Sequence, residues 1–387
     1  MQNPQPKKIR VLVVDDSSVM RRIISTALNK NAMIEVVGYA ANGLQAIDRV
    51  RDLQPDVVTL DIEMPELDGL GALREIRKYN QSVPIIMFSN LTHRGAQATV
   101  TALTAGATDY VCKPVAASGS MDQAFLVLEL ELIPKVIGLA QRALRRTTRG
   151  LASTPAPTAS PSVAALDFPA SKQTQKPEPL AVWQPSQIPS SHTTAAVAAV
   201  VIGVSTGGPM ALKEVFNALK APLPVPVFIV QHMPESFTTL LADRLTAGGV
   251  TRFKEPGHGE VPTAGVAYIA PGGQHLVLSG NTMHVQMQLS SAEPQNSCRP
   301  SVDVLFQSAS LVYGADVLAV VMTGMGSDGL IGCQHIKARS GQVIAQDEES
   351  SVVWGMPGAA VHQGLADMVL PLGKIADELV FRTRRRS

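Results

Sequence analysis

Cysteine is scarce: Cys112, Cys298 and Cys333 are the only three, with no CxxC pair. No disulfide framework can be drawn from them, and buried, reduced thiols in a cytosolic protein are the expectation. Aromatic residues are only 4%, so the core must be built mainly from Val, Leu, Ile, Ala and Met. An excess of one charge is also missing. Lys+Arg is 33 and Asp+Glu 32, a net charge of +1, which argues against a chain that coats nucleic acid or carries a large acidic tail. Long apolar runs are absent too. Val11–Val14 is too short for a signal peptide, and the stretch from Ala195 to Val204 falls well below the roughly 20 residues needed to span a bilayer. A cytoplasmic protein with no membrane insertion and no nucleic-acid partner is expected.

What is present is ample apolar residue, 45%, in a chain of 387 residues, enough for two or three cores at about 150 residues per domain. Proline locates the division. Eight of the 27 prolines fall between Pro155 and Pro189, among Ser, Thr and Ala, where apolar periodicity is lost. Such a segment buries too little surface to offset its ordering entropy. The reading is a unit over 1–130, a helix end and linker over 131–194, and a second unit over 195–387. Arginines cluster before the linker (Arg142, Arg145, Arg146, Arg149) and at the end (Arg382, Arg384, Arg385, Arg386).

Both units read as α/β. In the first, strand candidates Ile9–Val14, Ile34–Ala40, Val57–Leu60, Pro84–Phe88 and Thr108–Val111 alternate with amphipathic segments. Short buried strands separated by helices imply a parallel sheet covered on both faces, and five at this length fit a flavodoxin-like doubly wound arrangement. In the second, Ala196–Val204, Val225–Val230 and Asp316–Met322 are strand candidates of the same kind. Gly265–Ala270, His275–Leu278 and Met283–Met287 read as a small β-rich insertion in a doubly wound domain.

In the first unit the polar exceptions stand at strand ends: Asp15 and Asp16, Asp61, Ser89 and Lys113. In an open parallel sheet these ends share one edge, where ligands bind. Three carboxylates there need a cation, and a hard ion with oxygen ligands such as Mg²⁺ fits. The stretches Val13–Ser17, Asp61–Gly69 and Lys113-Pro114 resemble the receiver domain of two-component response regulators. The resemblance implies that Asp61 is phosphorylated by a histidine kinase. It implies that Asp15, Asp16 and Asp61, with the Glu63 backbone carbonyl, hold Mg²⁺. It places Ser89 and Tyr110 at the switch hydroxyl and switch aromatic positions, and Lys113 at the phosphoryl group. The exposed face near Leu91–Ala105 and Tyr110 would then respond.

In the second unit Gly203-Val204-Ser205-Thr206-Gly207-Gly208 lies between a buried strand and a helix. It satisfies G-x-S-x-G, a sharp turn that exposes a serine hydroxyl, although a glycine-rich strand–helix turn can equally cradle a phosphate. His232 ends the next strand candidate, and Asp328 follows the third, in Thr323–Gly329. A nucleophile, a base and its orienting carboxylate need that common edge. Their order, Ser, His, Asp, differs from that of an ordinary α/β-hydrolase.

Gly203–Pro209, Gln231–Met233, Tyr268–Gly272, Arg299–Asp303, Thr323–Gly329 and Gln346–Pro357 resemble the chemotaxis methylesterase family, CheB. The resemblance implies hydrolysis of glutamate methyl esters on chemoreceptors, with deamidation of specific glutamines. Ser205 would be the nucleophile, His232 the base and Asp328 its orienting acid. Backbone N–H groups of Met325 and Thr206 would bind the oxyanion. The kinase would be CheA, and the catalytic unit would need no cofactor. An unphosphorylated first unit is expected to occlude Ser205. Two other readings stay open: the same chemistry in a non-chemotaxis pathway, and a non-catalytic response regulator.

Overall fold

The computed structural model describes residues 7–90, 92–113, 125–149 and 197–384, with the side chains of 142–149 outside that description. The proline-rich stretch, Leu91 and Pro114 therefore lie outside the described residues, as do the arginine side chains before the linker and those of Arg385 and Arg386. Among the described residues no helix is long and apolar enough to cross a membrane.

The N-terminal half is a five-stranded parallel sheet: β1 (Ile9–Val14), β2 (Ile34–Ala40), β3 (Val57–Asp61), β4 (Ile85–Ser89) and β5 (Asp109–Cys112), in the order β2-β1-β3-β4-β5. This is the flavodoxin-like order expected. The central strands β3 and β4 are buried at every position, so both faces must be covered. The covering helices are α1 (Ser18–Asn29), α2 (Gly43–Leu53), α3 (Gly69–Tyr79) and α4 (His93–Thr104). Each starts at a side-chain cap: Ser17, Asn42, Asp68 and Thr92 accept from a backbone N–H three residues on. Such caps are worth about 1 kcal/mol each. A π-helical turn over Leu128–Leu132 leads into α5 (Ile133–Arg149).

The C-terminal half is a seven-stranded sheet in the order β14-β13-β12-β6-β7-β9-β8, parallel at every pairing. Its centre is β6 (Ala199–Val204), β7 (Val227–Gln231) and β12 (Val317–Val321), each wholly buried. The outer strands are β8 (Arg252–Lys254), β9 (Val266–Ile269), β13 (Gln342–Gln346) and β14 (Met368–Leu370). The helices are α6 (Gly208–Asn217), α7 (Glu235–Gly248), α8 (Val302–Tyr313), α9 (Leu330–Ala338), α10 (Met356–His362) and α11 (Leu372–Thr383). The expected β insertion is smaller than its three pieces implied. β10 (His275–Asn281) and β11 (His284–Ser290) form an antiparallel hairpin, but the stretch at Gly265–Ala270 is β9 of the main sheet, paired Val227↔Ala267.

The two halves are docked. The α4 face expected to be exposed is covered by α6 and α7: Lys213 Nζ donates to the Thr104 carbonyl at 2.7 Å, and Thr99, Val100 and Thr104 are buried. The ring of Tyr110 stacks on Phe237 of α7 with centroids 5.1 Å apart. On the other flank Val352 and Val353 pack against the cluster that holds Leu128, Leu132, Val136 and Leu139. Arg382, one of the clustered C-terminal arginines, is not free to meet a partner: it is tied to Glu378 and Gln342, both at 2.6 Å.

Candidate active site

The first cluster sits at the strand ends of the N-terminal sheet. β1 delivers Asp15 and Asp16, β3 ends in Asp61, β4 ends in Ser89, and Lys113 follows β5. Carboxylate oxygens of Asp15, Asp16 and Asp61 lie within 4.8 Å of one another. Asp15 and Asp61 are buried, while Asp16 is exposed. Lys113 Nζ stands 3.0 Å from Asp15 Oδ2 and 2.7 Å from Asp61 Oδ2. Those two buried oxygens gain the charge contact but no aligned hydrogen bond. Burial pushes the Asp61 carboxyl up to about 6; Lys113 opposes the shift and Asp15 adds to it. An all-oxygen donor set of three carboxylates drawn together beside Lys113 fits a hard divalent cation. Gly69 is required here, because a Cβ would collide with the Asp61 carbonyl.

Ser89 is buried and its hydroxyl donates to the Asn90 carbonyl at 3.2 Å, so it is not engaged with Asp61. Tyr110 is half-buried against Phe237, and Lys135 Nζ donates to the Tyr110 carbonyl at 2.6 Å. The Glu63 side chain accepts from Asn90 Nδ2 at 3.2 Å.

The second cluster forms at the strand ends of the C-terminal sheet. β6 and β7 pair Val204 with Gln231, so Ser205 and His232 stand side by side one residue beyond. The His232 N–H donates to the Val204 carbonyl at 3.3 Å. The elbow is fastened by the Ser205 N–H to the Thr323 carbonyl (3.0 Å) and by Gln231 Nε2 to the Ser205 carbonyl (3.0 Å). Gly207 has φ +79, a left-handed value that favours glycine, and caps α6. His232 Nε2 lies 2.8 Å from Asp328 Oδ2. Asp328 can only accept, so Nε2 carries the proton and Nδ1 is the basic nitrogen. No hydrogen bond joins the Ser205 hydroxyl to His232 in this arrangement.

Asp328 is 3% exposed and is held at the N-terminus of α8. It accepts from the Val302 N–H (2.7 Å), the Asp303 N–H (3.2 Å), the Gly329 N–H (3.1 Å), Ser301 Oγ (2.8 Å) and Asn296 Nδ2 (3.1 Å). Burial alone would raise its pKa, but His232 and these donors hold it down to about 2. The carboxylate thus stays ionised beside the imidazole. Burial likewise pulls the His232 pKa down, and the hydrogen bonds to Asp328 and Cys298 outweigh it, lifting the ring to about 9. Sequence reasoning placed Asp328 but not its supports. The signal was available in Ser301 and Asp303, polar residues at the opening of an otherwise apolar helix.

Two further contacts escaped it, that of Cys298 with His232 and that of the Thr206 side chain. Cys298, expected to be a buried thiol, is half-buried and its Sγ lies 3.8 Å from His232 Nδ1. Thr206, next to Ser205, donates its hydroxyl to Asp109 Oδ2 of β5 at 2.6 Å, a buried bond between the halves. Met325 also meets the N-terminal half: its Cε lies 3.1 Å from the position a Cβ would take on Gly138.

A receiver-type sheet docked on the Ser205 turn of a second parallel α/β sheet defines a two-domain response regulator with an enzymatic output. The family model described as CheB methylesterase matches residues 200–379, and that of the response regulator receiver domain matches residues 11–124. A protein-glutamate methylesterase/protein-glutamine glutaminase of Trichodesmium erythraeum is 43% identical over 375 residues, covering 97% of this chain and 99% of that protein. One from Nocardioides is 44% identical over 378 residues, covering 98% and 96%. The solved CheB methylesterase catalytic domain of Thermotoga maritima is 41% identical, with a TM-score of 0.47, covering 48% of this chain and 98% of that one. The chain belongs to the CheB family, receiver domain and methylesterase domain together.

Proposed function

We propose that this chain is a phosphorylation-activated serine hydrolase that removes methyl esters from receptor glutamates, releasing methanol, and deamidates specific glutamines, releasing ammonia. The observation that carries this reading is the 2.8 Å bond between His232 and Asp328, with Ser205 on the adjoining strand end. His232 Nδ1 takes the Ser205 proton as the hydroxyl attacks the ester carbonyl. Asp328 holds the tautomer and stabilises the imidazolium. The N–H groups of Thr206 and Met325 bind the oxyanion. Returning the proton releases methanol, and water resolves the glutamyl-enzyme by the same route. The substrate is a methyl-accepting chemoreceptor, and the site works without a cofactor.

The receiver, residues 1–130, takes a phosphoryl group on Asp61 from the histidine kinase CheA. Asp15, Asp16, Asp61 and the Glu63 carbonyl would hold Mg²⁺, which supplies charge neutralisation at the phosphoryl oxygens. Lys113 binds one of those oxygens and Ser89 another. Ser89 leaves the Asn90 carbonyl to do so, and Tyr110 turns into the space it vacates. Because Tyr110 stacks on Phe237 and Asp109 holds Thr206, that movement loosens the receiver from the elbow of the catalytic domain, residues 195–387. Within the helix end and linker of 131–194, the helix packs on the receiver core through Val136, Leu139 and Ala140, and the whole protein acts in the cytoplasm.

Ser205→Ala tests the chemistry. It should abolish methanol release from methyl-labelled receptor membranes while Asp61 is still phosphorylated. Retention of most of the activity would refute the triad.

A further inference from the structure

Cys298 is a titratable group placed directly against His232 to which the proposed chemistry gives no role. Its Sγ sits 3.8 Å from His232 Nδ1, the nitrogen that Asp328 leaves free. With His232 and Asp328 it forms a cluster whose polar atoms lie within 4.8 Å of one another. Asp328 already accepts from five donors besides the imidazole, so the cluster is poorly suited to a metal ion and the thiol–imidazole pair is what remains.

The placement is built into the loop. Gln295 and Cys298 exchange backbone hydrogen bonds at 2.8 and 3.1 Å. Between them Asn296 and Ser297 take φ values of +52 and +60, uncommon for side-chain-bearing residues. Asn296 is pinned by bonds to Asp303 (2.7 Å) and Asp328 (3.1 Å). The thiol is therefore held against the ring by a tight turn anchored on Asp328 itself. Residues 291–297 are exposed and Cys298 is only half-buried, which gives a small solute access. The other two thiols differ. Cys333 is wholly buried, and burial pushes its thiol far up; burial also raises Cys112, to about 11.

We propose, resting on the esterase reading above, that Cys298 is an oxidation site through which a peroxide reversibly switches the enzyme off. The sulfur attacks one peroxide oxygen, the O–O bond breaks and an S–O bond forms. Sulfur is oxidised by two electrons to a sulfenic acid. The departing hydroxide combines with the thiol proton, passed through His232 Nδ1, and leaves as water. The new S–OH donates to Nδ1, so the base nitrogen can no longer take the Ser205 proton. A thiol reductant restores Cys298 by way of a mixed disulfide.

The test uses the full chain with hydrogen peroxide, each protein measured against its own untreated rate of methanol release. Peroxide should lower the wild-type rate about 10²-fold, the scale of a lost general base, and dithiothreitol should restore it. Dimedone should label the Cys298 peptide and not those of Cys112 or Cys333. Cys298→Ala and Cys298→Ser should keep their own untreated rates under peroxide. Equal inactivation of these variants, or absence of dimedone from Cys298 in inactivated wild type, would overturn the proposal. Should untreated protein release no methanol, the esterase reading fails, while the dimedone adduct still decides whether Cys298 is the oxidised residue.

Discussion

His232 shows how opposing effects on one side chain set its chemistry. Burial disfavours the imidazolium, yet Asp328 on one nitrogen and Cys298 near the other carry the pKa to about 9. The groups facing the ring are the Asp328 carboxylate, with Asp303 behind it, and the Cys298 side chain. As the proposed base, His232 must be neutral to accept a proton, and it becomes neutral only as pH rises. Esterase kcat/KM should therefore climb by about tenfold per pH unit from neutrality and level off near pH 9, measured above a Ser205→Ala background. A plateau already reached at pH 7 would contradict the assignment of His232 as the base. Asp328 does not limit this range, because its pKa is held down to about 2. At this scale the candidate residues were legible where they close a strand: Asp15, Asp61, Ser205 and His232 all follow apolar runs. Cys298 was not, since its contact with His232 spans 66 positions and is set by a loop with no periodicity.

Elements were legible in proportion to their burial. The central strands β1, β3, β4, β6, β7 and β12 announce themselves as apolar runs, because a parallel strand covered on both faces has no polar side. β8 and β14 are three residues each, and β13 begins and ends with Gln, so no run marks them. Gly265–Ala270 was read as a strand but assigned to the insertion, because a four-residue strand carries no sign of which sheet it joins. The loop after β12 shows why glycine recurs near the elbow. A Cβ on Gly324 would run into Met356 Sδ and come within 2.9 Å of Ser205 Cβ. The Gly324 carbonyl also accepts from the N–H groups of Gly355 and Met356, at 3.0 and 2.9 Å, so the loop cannot simply swing away. Gly324→Ala should displace Ser205, lowering kcat at a stability cost of about 1–3 kcal/mol from overpacking. Phosphorylation of Asp61 should be unchanged, and unaltered kcat would show that the loop has slack.

For the whole molecule the decisive feature is the contact between halves, which no local pattern encodes. Long linkers permit docking without requiring it, and the residues that dock are split across α4, β5, α5, α6 and α7. They include a buried hydrogen bond from Thr206 to Asp109 and the stacked pair Tyr110–Phe237. A buried hydrogen bond to a carboxylate contributes about 1.5–3 kcal/mol and an aromatic pair about 0.5–1.5 kcal/mol beyond its burial. Contacts of that size are small enough for a phosphorylation event to release, and they lie beside Ser205. The near-zero net charge conceals this arrangement, since the buried carboxylates and Lys113 are sequestered at one edge of the receiver.

The central claim is that phosphorylation of Asp61 frees Ser205 to hydrolyse receptor methyl esters. Methanol release from methyl-labelled receptor membranes, with and without a small-molecule phosphodonor and Mg²⁺, tests it most directly. Wild type should show a low basal rate that rises at least about tenfold with the phosphodonor, a release of about 1.4 kcal/mol of docking. Asp61→Asn should keep the basal rate without the rise. A wild-type rate indifferent to the phosphodonor, although Asp61 is phosphorylated, would contradict the account.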